Sequence, residues 1–294
     1  MGKTLSLSKI TGLAIISFLA ISLITLSKNA LELEDAEQAY YSQWFRLGYD
    51  DQPPLYTWLQ YAFNKIFGVN RISFSILRGF LFAGTLMLLY RFSVLRIKDE
   101  DKRKLAVLVL VLVPVYIDFT FRRLSHTSLL CFFIIGTYFC LQRLLNHQSL
   151  GNYLLFGVFV GMGLLSKYNY AFFLLSFGLV VVWDKKLRGI FWNPKILISI
   201  LISLLLVGPH VYWLLGPEGF QSFLNDSVQE KIGNNEENYD FFIWPLAIYL
   251  KGVLALFILV ILTFILGFFI NQIKFNKLKH DWFYKMFLAQ FIVL

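Results

Sequence analysis

Several carboxylates stand close together in a short polar stretch near the start of the chain, residues 31–59. Among them are Glu34, Asp35, Glu37, Asp50 and Asp51. A carboxylate can take a proton from a hydroxyl group as a general base, or it can bind a divalent cation through its oxygen atoms. The spacing of these residues therefore predicts an acidic site in this stretch.

The residues around this stretch are strongly apolar. Of the 294 residues, 57% are hydrophobic and 15% are charged, and the mean hydropathy is +0.63. Soluble domains are less apolar and carry about 25% charged residues, so the composition excludes an ordinary soluble domain. Apolar windows of about 20 residues are typical of membrane-spanning helices. The sequence thus predicts an all-α fold, a polytopic transmembrane helical bundle.

About nine spans are predicted, and together they form one transmembrane module over residues 1–294. They lie near 9–27, 73–92, 105–121, 127–145, 152–166, 168–183, 194–214 and 242–270, with a last one that begins near 282. No small-residue cleavage site follows the first span, so we expect an uncleaved helix. The last run holds only about 13 residues, fewer than the ~20 that cross a bilayer. We therefore expect a fragment or an incomplete last helix.

The distribution of charge predicts the orientation of the bundle. Lys and Arg cluster in loops on one side, as between Arg91 and Lys104, whereas the loops 28–54 and 215–241 are acidic. Loops rich in Lys and Arg stay in the cytoplasm, so both acidic loops are expected outside. The net charge of +9 follows from this topology, and no nucleic-acid partner is predicted. We expect a multi-pass protein of the bacterial inner membrane with its active site on the external, periplasmic side.

The loop 28–54 is predicted to contain a helix. Asp35 followed by Gln38 is typical of a helix start, in which the N-cap is followed three residues later by a reciprocal side chain. Gly48 would end this helix, and its aromatic residues would share one interfacial face. Those residues are Tyr40, Tyr41, Trp44 and Phe45. Glu34 and Asp35 therefore have two interpretations, complementation of the helix dipole or membership of a catalytic site.

The pattern of the loop resembles that of a known family. Its residues are Glu34-Asp35-Ala36, Tyr40-Tyr41 and Gly48-Tyr49-Asp50-Asp51-Gln52-Pro53-Pro54-Leu55. This pattern is similar to the first external loop of GT-C type membrane glycosyltransferases, in the family 39 branch of protein O-mannosyltransferases and the lipid A aminoarabinose transferase. Weaker similarities follow at Arg78, at 161–168 and at Pro209-His210 with Trp213.

Three departures separate this chain from that branch. The family has Asp before Glu, whereas Glu34 precedes Asp35 here. The aminoarabinose transferase has Arg where Glu37 stands, and Lys where Gln52 stands. The loss of these two cations argues against aminoarabinose as the transferred sugar.

The resemblance implies a reaction and a set of residues. A sugar would move from a polyprenyl-phosphate donor to a hydroxyl acceptor on a lipid, glycan or protein, with inversion. Asp35 is the first choice for the general base and Glu34 the second, while cations would stabilise the leaving phosphate. The residues expected to bind substrate are Glu37, Tyr40, Asp50, Asp51, Arg78, Arg122, Arg123, His126, Lys167 and His210.

Several of these residues have a second interpretation. Lys167 either contacts phosphate or extends to the membrane interface, and Arg122 with Arg123 either form a site or anchor the interface. Arg78 is expected to pair with a carboxylate of the loop. A lone His such as His210 is more often a hydrogen-bonded structural residue.

Metal and cofactor chemistry leave little trace in the sequence. The four His and two Cys show no zinc-type spacing. The clustered carboxylates could hold a divalent cation, although mutual repulsion and solvent exposure explain them equally well; no other cofactor is predicted. The partners expected are membrane lipids, the lipid-linked donor and the acceptor. An alternative function is a transporter or flippase of lipid-linked glycans, in which intramembrane charges line a path.

Overall fold

A computed structural model describes residues 2–28, 30–49, 52–112, 116, 120, 125–217, 219 and 281–293. The elements within these ranges are α-helices, with no strand among them, which confirms the all-α prediction. They are α1 (Gly2–Ser27), α2 (Leu33–Tyr41), α3 (Leu55–Phe67), α4 (Arg71–Arg96), α5 (Glu100–Leu112), α6 (Ser125–Asn146), α7 (Leu150–Ser166), α8 (Tyr170–Trp183), α9 (Lys185–Phe191), α10 (Ile196–Leu214) and α11 (Trp282–Val293).

Four helices of the described chain are long and apolar enough to cross a membrane, namely α1 from Ile10 onward, α4, α6 and α10. Two further apolar helices, α7 and α8, are shorter. The spans expected near 73–92, 127–145, 152–166 and 194–214 correspond to α4, α6, α7 and α10. The span expected over 242–270, and nearly all of the loop 215–241, lie outside the described residues. The total of nine spans therefore stays a prediction.

Local sequence explains where the α4 helix begins. The side-chain oxygen of Asn70 accepts hydrogen bonds from the backbone N–H groups of Ile72, at 2.9 Å, and Ser73. These contacts satisfy donors that have no partner within the first turn of a helix. Gly68 precedes this cap with a φ of 80°, a conformation that glycine adopts at no steric cost. The turn reverses the chain between α3 and α4.

Small residues bring α7 and α10 into close contact. A Cβ atom at Gly157 would lie 2.6 Å from the carbonyl oxygen of Ser199, and one at Gly161 would lie 3.0 Å from the Cα atom of Ser203. The Ser199 hydroxyl donates to the carbonyl of Tyr153 at 2.7 Å. Small residues four positions apart, with hydroxyl groups that bond across the interface, are typical of helix packing in membranes.

The helix α3 was not predicted, and it buries polar side chains beside the apolar Leu55 and Tyr56. Thr57, Gln60 and Asn64 are buried, whereas Ile66 and Phe67 are 74% and 40% exposed. The buried groups bond to one another and to neighbours, as in the 2.7 Å bond from Gln60 to the Ser73 hydroxyl. Hydrogen bonding offsets the cost of removing polar groups from water. The buried face of this helix is therefore partly polar, and Thr57 on it lines the site.

The predicted bounds of α2 were wrong. Glu32 is its N-cap residue, so Asp35 lies within the first turn, and the helix ends at Tyr41 rather than at Gly48. Trp44 and Phe45 follow the helix and do not extend its face. Asp35 is 2% exposed and pairs with Arg78 of α4. It is therefore buried within the first turn of α2 and does not cap a solvated helix end.

Candidate active site

Asp35 of α2 forms a buried ion pair with Arg78 of α4. One Nη atom of Arg78 lies 2.6 Å from a carboxylate oxygen of Asp35, and the two residues are 4% and 2% exposed. This contact confirms that Arg78 pairs with a carboxylate of the loop. Burial raises the pKa of Asp35, and the positive charge of Arg78 opposes that rise. The pair fixes α2 against the membrane-spanning bundle.

Glu34, the preceding residue, points in a different direction. Its carboxylate accepts a hydrogen bond of 2.9 Å from the backbone N–H of Ser125, the first residue of α6. Burial raises the pKa of Glu34 to about 7, and the nearby Glu37 and Asp35 charges add to the rise. The Ser125 hydrogen bond and the positive charge of Lys167 oppose it. A carboxyl with this pKa is close to the optimum for a general base at neutral pH.

The side chain of Glu34 lines a cavity of about 50 Å³ between α2, α3, α6 and the turn after α7. The residues that line it are Glu34, Glu37, Gln38, Tyr41, Tyr49, Gln52, Thr57, His126 and Lys167. The ammonium group of Lys167 donates to the Thr127 hydroxyl at 2.9 Å. A carboxylate, a second acidic group and an ammonium group therefore share one partly buried cavity, in which their interactions are stronger than in water.

His126 is held in one orientation by two neighbours. Thr57 donates to the amide oxygen of Gln38 at 2.8 Å, which leaves the Gln38 amide nitrogen to donate to His126 Nε2 at 3.3 Å. His126 Nδ1 then lies 3.3 Å from the Ser166 carbonyl oxygen and donates to it. The ring also packs on Tyr56, with 5.1 Å between centroids. This network fixes one wall of the cavity.

The structure brings some predicted residues together and separates others. Glu34, Glu37, His126 and Lys167 line the cavity. Tyr40 is 60% exposed and packs edge to face on Trp44, and it is not among the lining residues. Asp50, Asp51, Arg122 and Arg123 lie outside the described residues, so their roles stay predictions.

His210 is buried near the C-terminal end of α10, and it is also not among the lining residues. Its ring contacts the loop that follows α2, through a hydrogen bond to the Leu47 carbonyl. The structural interpretation of this residue is therefore the one that its contacts support.

Sequence reasoning missed five lining residues: Gln38, Tyr41, Tyr49, Gln52 and Thr57. Gln38 follows Glu34 by four positions, so a helical reading of the loop puts both side chains on one face. Thr57 could not be found in this way because it lies on α3, which the hydropathy pattern does not reveal.

The site offers limited ligands for a metal ion. Within the described ranges, no group of three or more His, Cys, Asp or Glu side chains is arranged to hold one. What the cavity does provide is a proton acceptor, Glu34, and a cation, Lys167, within electrostatic reach of each other. That combination suits a reaction in which a proton leaves a hydroxyl group while negative charge develops on a departing group.

Comparison with known proteins gives consistent findings. Residues 51–213 match the family described as dolichyl-phosphate-mannose-protein mannosyltransferase. The chain is 31% identical over 188 residues to the lipopolysaccharide core galacturonosyltransferase RgtB of Rhizobium johnstonii, covering 64% of this chain and 38% of that protein. It is 30% identical over 224 residues to the galacturonosyltransferase RgtA of the same organism, covering 73% of this chain and 43% of that protein. The chain thus spans about two fifths of these relatives' length. No solved structure shows significant similarity to it.

Proposed function

Because this chain belongs to the dolichyl-phosphate-mannose-protein mannosyltransferase family, whose members are GT-C type membrane glycosyltransferases, we propose that it transfers a sugar from a polyprenyl-phosphate donor to a hydroxyl acceptor. The proposal includes an active site on the external face of a bacterial inner membrane. The observation that carries it is the cavity shared by Glu34 and Lys167.

The reaction assigns one role to each of these side chains. Glu34 accepts the proton of the acceptor hydroxyl, and the hydroxyl oxygen forms a bond to the anomeric carbon of the sugar. The bond between that carbon and the phosphate oxygen breaks, and its electron pair leaves with the polyprenyl phosphate. Lys167 stabilises the negative charge that develops on this phosphate. Attack opposite to the leaving group inverts the anomeric centre.

Glu34 is better suited to be the base than Asp35. The carboxylate of Asp35 is 2% exposed and engaged with Arg78 at 2.6 Å, so a hydroxyl acceptor has no access to it. Glu34 lines the cavity and has a pKa of about 7. Asp35 then acts by holding α2, and hence Glu34, in position. This reverses the order of preference that the sequence resemblance implies.

The names of the two relatives indicate which donor sugar to test first. The two relatives are named as lipopolysaccharide core galacturonosyltransferases, so a galacturonate donor and a lipopolysaccharide core acceptor are the first to test. The panel also contains neutral hexose and pentose donors on the same polyprenyl phosphate. Purified protein in detergent is incubated with each donor, and release of free polyprenyl phosphate is measured.

Transfer from at least one donor, lost in Glu34→Gln and kept in the matched control Glu100→Gln on α5, is the expected result. Glu100 forms an ion pair with Lys104 on its own helix and does not line the cavity. The proposal fails if no donor is consumed while lipid-linked sugar crosses the bilayer of vesicles that contain the protein. That second outcome would support a flippase.

A further inference from the structure

The C-terminal end of α10 holds the loop that follows α2. His210 Nδ1 donates a hydrogen bond of 3.0 Å to the carbonyl oxygen of Leu47. The next residue, Gly48, lies directly against the indole ring of Trp213, and a Cβ atom at position 48 would overlap that ring. His210 and Trp213, one helical turn apart on α10, therefore contact Leu47 and Gly48, two successive residues of the loop.

The imidazole ring of His210 is itself held in place. Its Nε2 atom lies 3.5 Å from the hydroxyl of Tyr168, which donates to it because Nδ1 carries the proton given to Leu47. The ring stacks on Trp213 with 5.8 Å between centroids and 17° between planes, and on Tyr168 at 6.2 Å and 28°. His210 is 3% exposed. Both ring nitrogens thus have protein partners, so this residue is not placed to bind substrate.

The loop 44–49, which these contacts hold, contributes Tyr49 to the lining of the cavity. Tyr49, directly after Gly48, is buried and lines it. The Tyr49 hydroxyl donates to the Trp44 carbonyl at 2.7 Å and accepts from the Arg46 N–H at 3.1 Å, so residues 44–49 form a closed turn. From the α3 side, the Trp58 indole N–H donates to the Arg46 carbonyl at 2.7 Å.

The contacts of His210 also extend to a second lining residue, Lys167. Tyr168, which contacts the His210 ring, directly follows Lys167, and the Lys167 side chain lines the cavity. The contacts of His210 therefore connect the loop that carries Tyr49 with the turn that carries the cation.

From these contacts we infer that His210 and Trp213 are positioning residues, which hold the loop 44–49 beside the cavity and so limit the exposure of Glu34 to water. The role in catalysis rests on the proposed function, whereas the limited exposure of Glu34 does not. His210 acts through Leu47, and Trp213 acts through Gly48.

Loss of this contact has an effect that simple destabilisation does not produce. Burial is the largest cause of the raised pKa of Glu34, so water that enters past a loosened loop lowers that pKa. The charged groups that affect Glu34, namely Glu37, Asp35 and Lys167, are unchanged by a substitution on α10. The neighbouring His126 keeps its bonds to Gln38 and Ser166.

The pKa of Glu34 can be followed without any transfer reaction. A hydrophobic carbodiimide modifies the protonated form of a buried carboxyl, and mass spectrometry locates the product. The pH at which modification at Glu34 is half-maximal is measured for the wild type, His210→Ala, His210→Asn and Tyr168→Phe. Asn is the conservative variant because its amide N–H can replace the Nδ1 donor.

We expect His210→Ala to move the midpoint to lower pH and to reduce kcat about tenfold or more, since misplaced active-site groups lose much of their effect. His210→Asn should retain most of the wild-type midpoint and most of the wild-type kcat. In His210→Ala, KM should change less than kcat. Tyr168→Phe, which removes only the hydroxyl, gives a smaller shift in the same direction. An unchanged midpoint and kcat in His210→Ala would overturn the inference.

A double substitution tests the contact between Trp213 and Gly48. Gly48→Ala alone displaces Trp213 and lowers the midpoint, but in the Trp213→Ala background the added methyl group has room and produces no further change. Equal effects of Gly48→Ala in both backgrounds would refute a role for Trp213. If the wild type transfers no sugar yet the midpoints shift as expected, the proposed function fails and the positioning role of His210 and Trp213 stands. If transfer occurs and no midpoint shifts, only the inference about His210 and Trp213 fails.

Discussion

Asp35 and Arg78 form an ion pair of 2.6 Å in which each side chain is almost completely removed from solvent. It joins the short helix α2 to the membrane-spanning helix α4. Taking both charges out of water is costly, and their attraction compensates for this only while both partners are present. The pair therefore holds α2 on α4 and so positions the neighbouring Glu34 at the cavity.

Breaking this pair from one side should strongly destabilise the protein. Arg78→Met leaves the Asp35 carboxylate buried without its cation, and such a loss costs about 3–5 kcal/mol in free energy of unfolding. The double variant Asp35→Asn with Arg78→Met should lose less than the sum of the two single variants. Thermal unfolding in detergent measures both. Arg91→Met, at an exposed position of α4, is the matched control, and an equal loss in that variant would contradict the prediction.

The rate of transfer should rise with pH through a midpoint near 7. Glu34 must be deprotonated to act as a base, and burial raises its pKa to about 7. Glu34→Gln cannot accept the proton and should lose about 100-fold or more in kcat. Initial rates between pH 5 and pH 9, at saturating donor, test this. If Glu34→Gln retains transfer and its rate rises with pH through the same midpoint as the wild type, another residue is the base.

Glu34 should also make the stability of the protein depend on pH. Its pKa is raised from 4.5 to about 7 in the folded state, so the folded protein holds the proton more tightly than the unfolded chain. This contribution is fully present below pH 4.5 and is lost as the pH rises through 7. Glu34→Gln removes it, so the variant should gain stability relative to the wild type at pH 8 but not at pH 4.5. Melting temperatures at these two pH values decide the matter.

Lys167 should affect both the leaving phosphate and the base. Lys167→Met removes the cation and should lower kcat about 100-fold, as expected for the loss of one group that stabilises the transition state. Because the charge of Lys167 lowers the pKa of Glu34, the midpoint of the pH profile should move to higher pH, opposite to the shift expected for His210→Ala. Lys167→Arg keeps the charge and should retain the midpoint. A downward shift in Lys167→Met would contradict this electrostatic account.

The contact between α7 and α10 should not tolerate a methyl group at position 157. A Cβ atom there would lie 2.6 Å from the Ser199 carbonyl oxygen and 2.7 Å from its Cα atom, both of them backbone. Gly157→Ala should therefore destabilise the protein by about 1–3 kcal/mol. Gly178→Ala on α8 is the control, since a Cβ atom at that position meets nothing within 4 Å. Comparable melting temperatures for the two variants would exclude close packing as the reason for glycine.

The long apolar helices could be predicted because hydropathy alone identifies them. The helix α3 could not, since Gln60, Asn64 and Lys65 interrupt its apolar pattern and two prolines precede it. Its polar residues are buried because their partners, such as Ser42 and Ser73, come from other parts of the chain. No local pattern encodes partners that are distant in sequence.

The sequence predicted an acidic site with Glu34 and Asp35, but it could not predict their different contacts, Asp35 with Arg78 and Glu34 with the cavity. Successive residues of a helix point about 100° apart, so only the positions of α4 and α6 decide which carboxylate meets Arg78 and which meets the cavity. Gly48 gives a second example. Its type suggested the end of a helix, whereas the structure uses its small size for contact with Trp213.

The ion pair between α2 and α4 has a consequence for how the chain assembles in the membrane. Asp35 leaves the ribosome 43 residues before Arg78, so during synthesis its carboxylate has no cation of α4 to meet. An unpaired ion is retained by water rather than by a hydrophobic interior, so we expect the segment that carries Asp35 to stay hydrated until α4 has been integrated. Assembly of the candidate site would in this way be coupled to the order in which the helices enter the membrane.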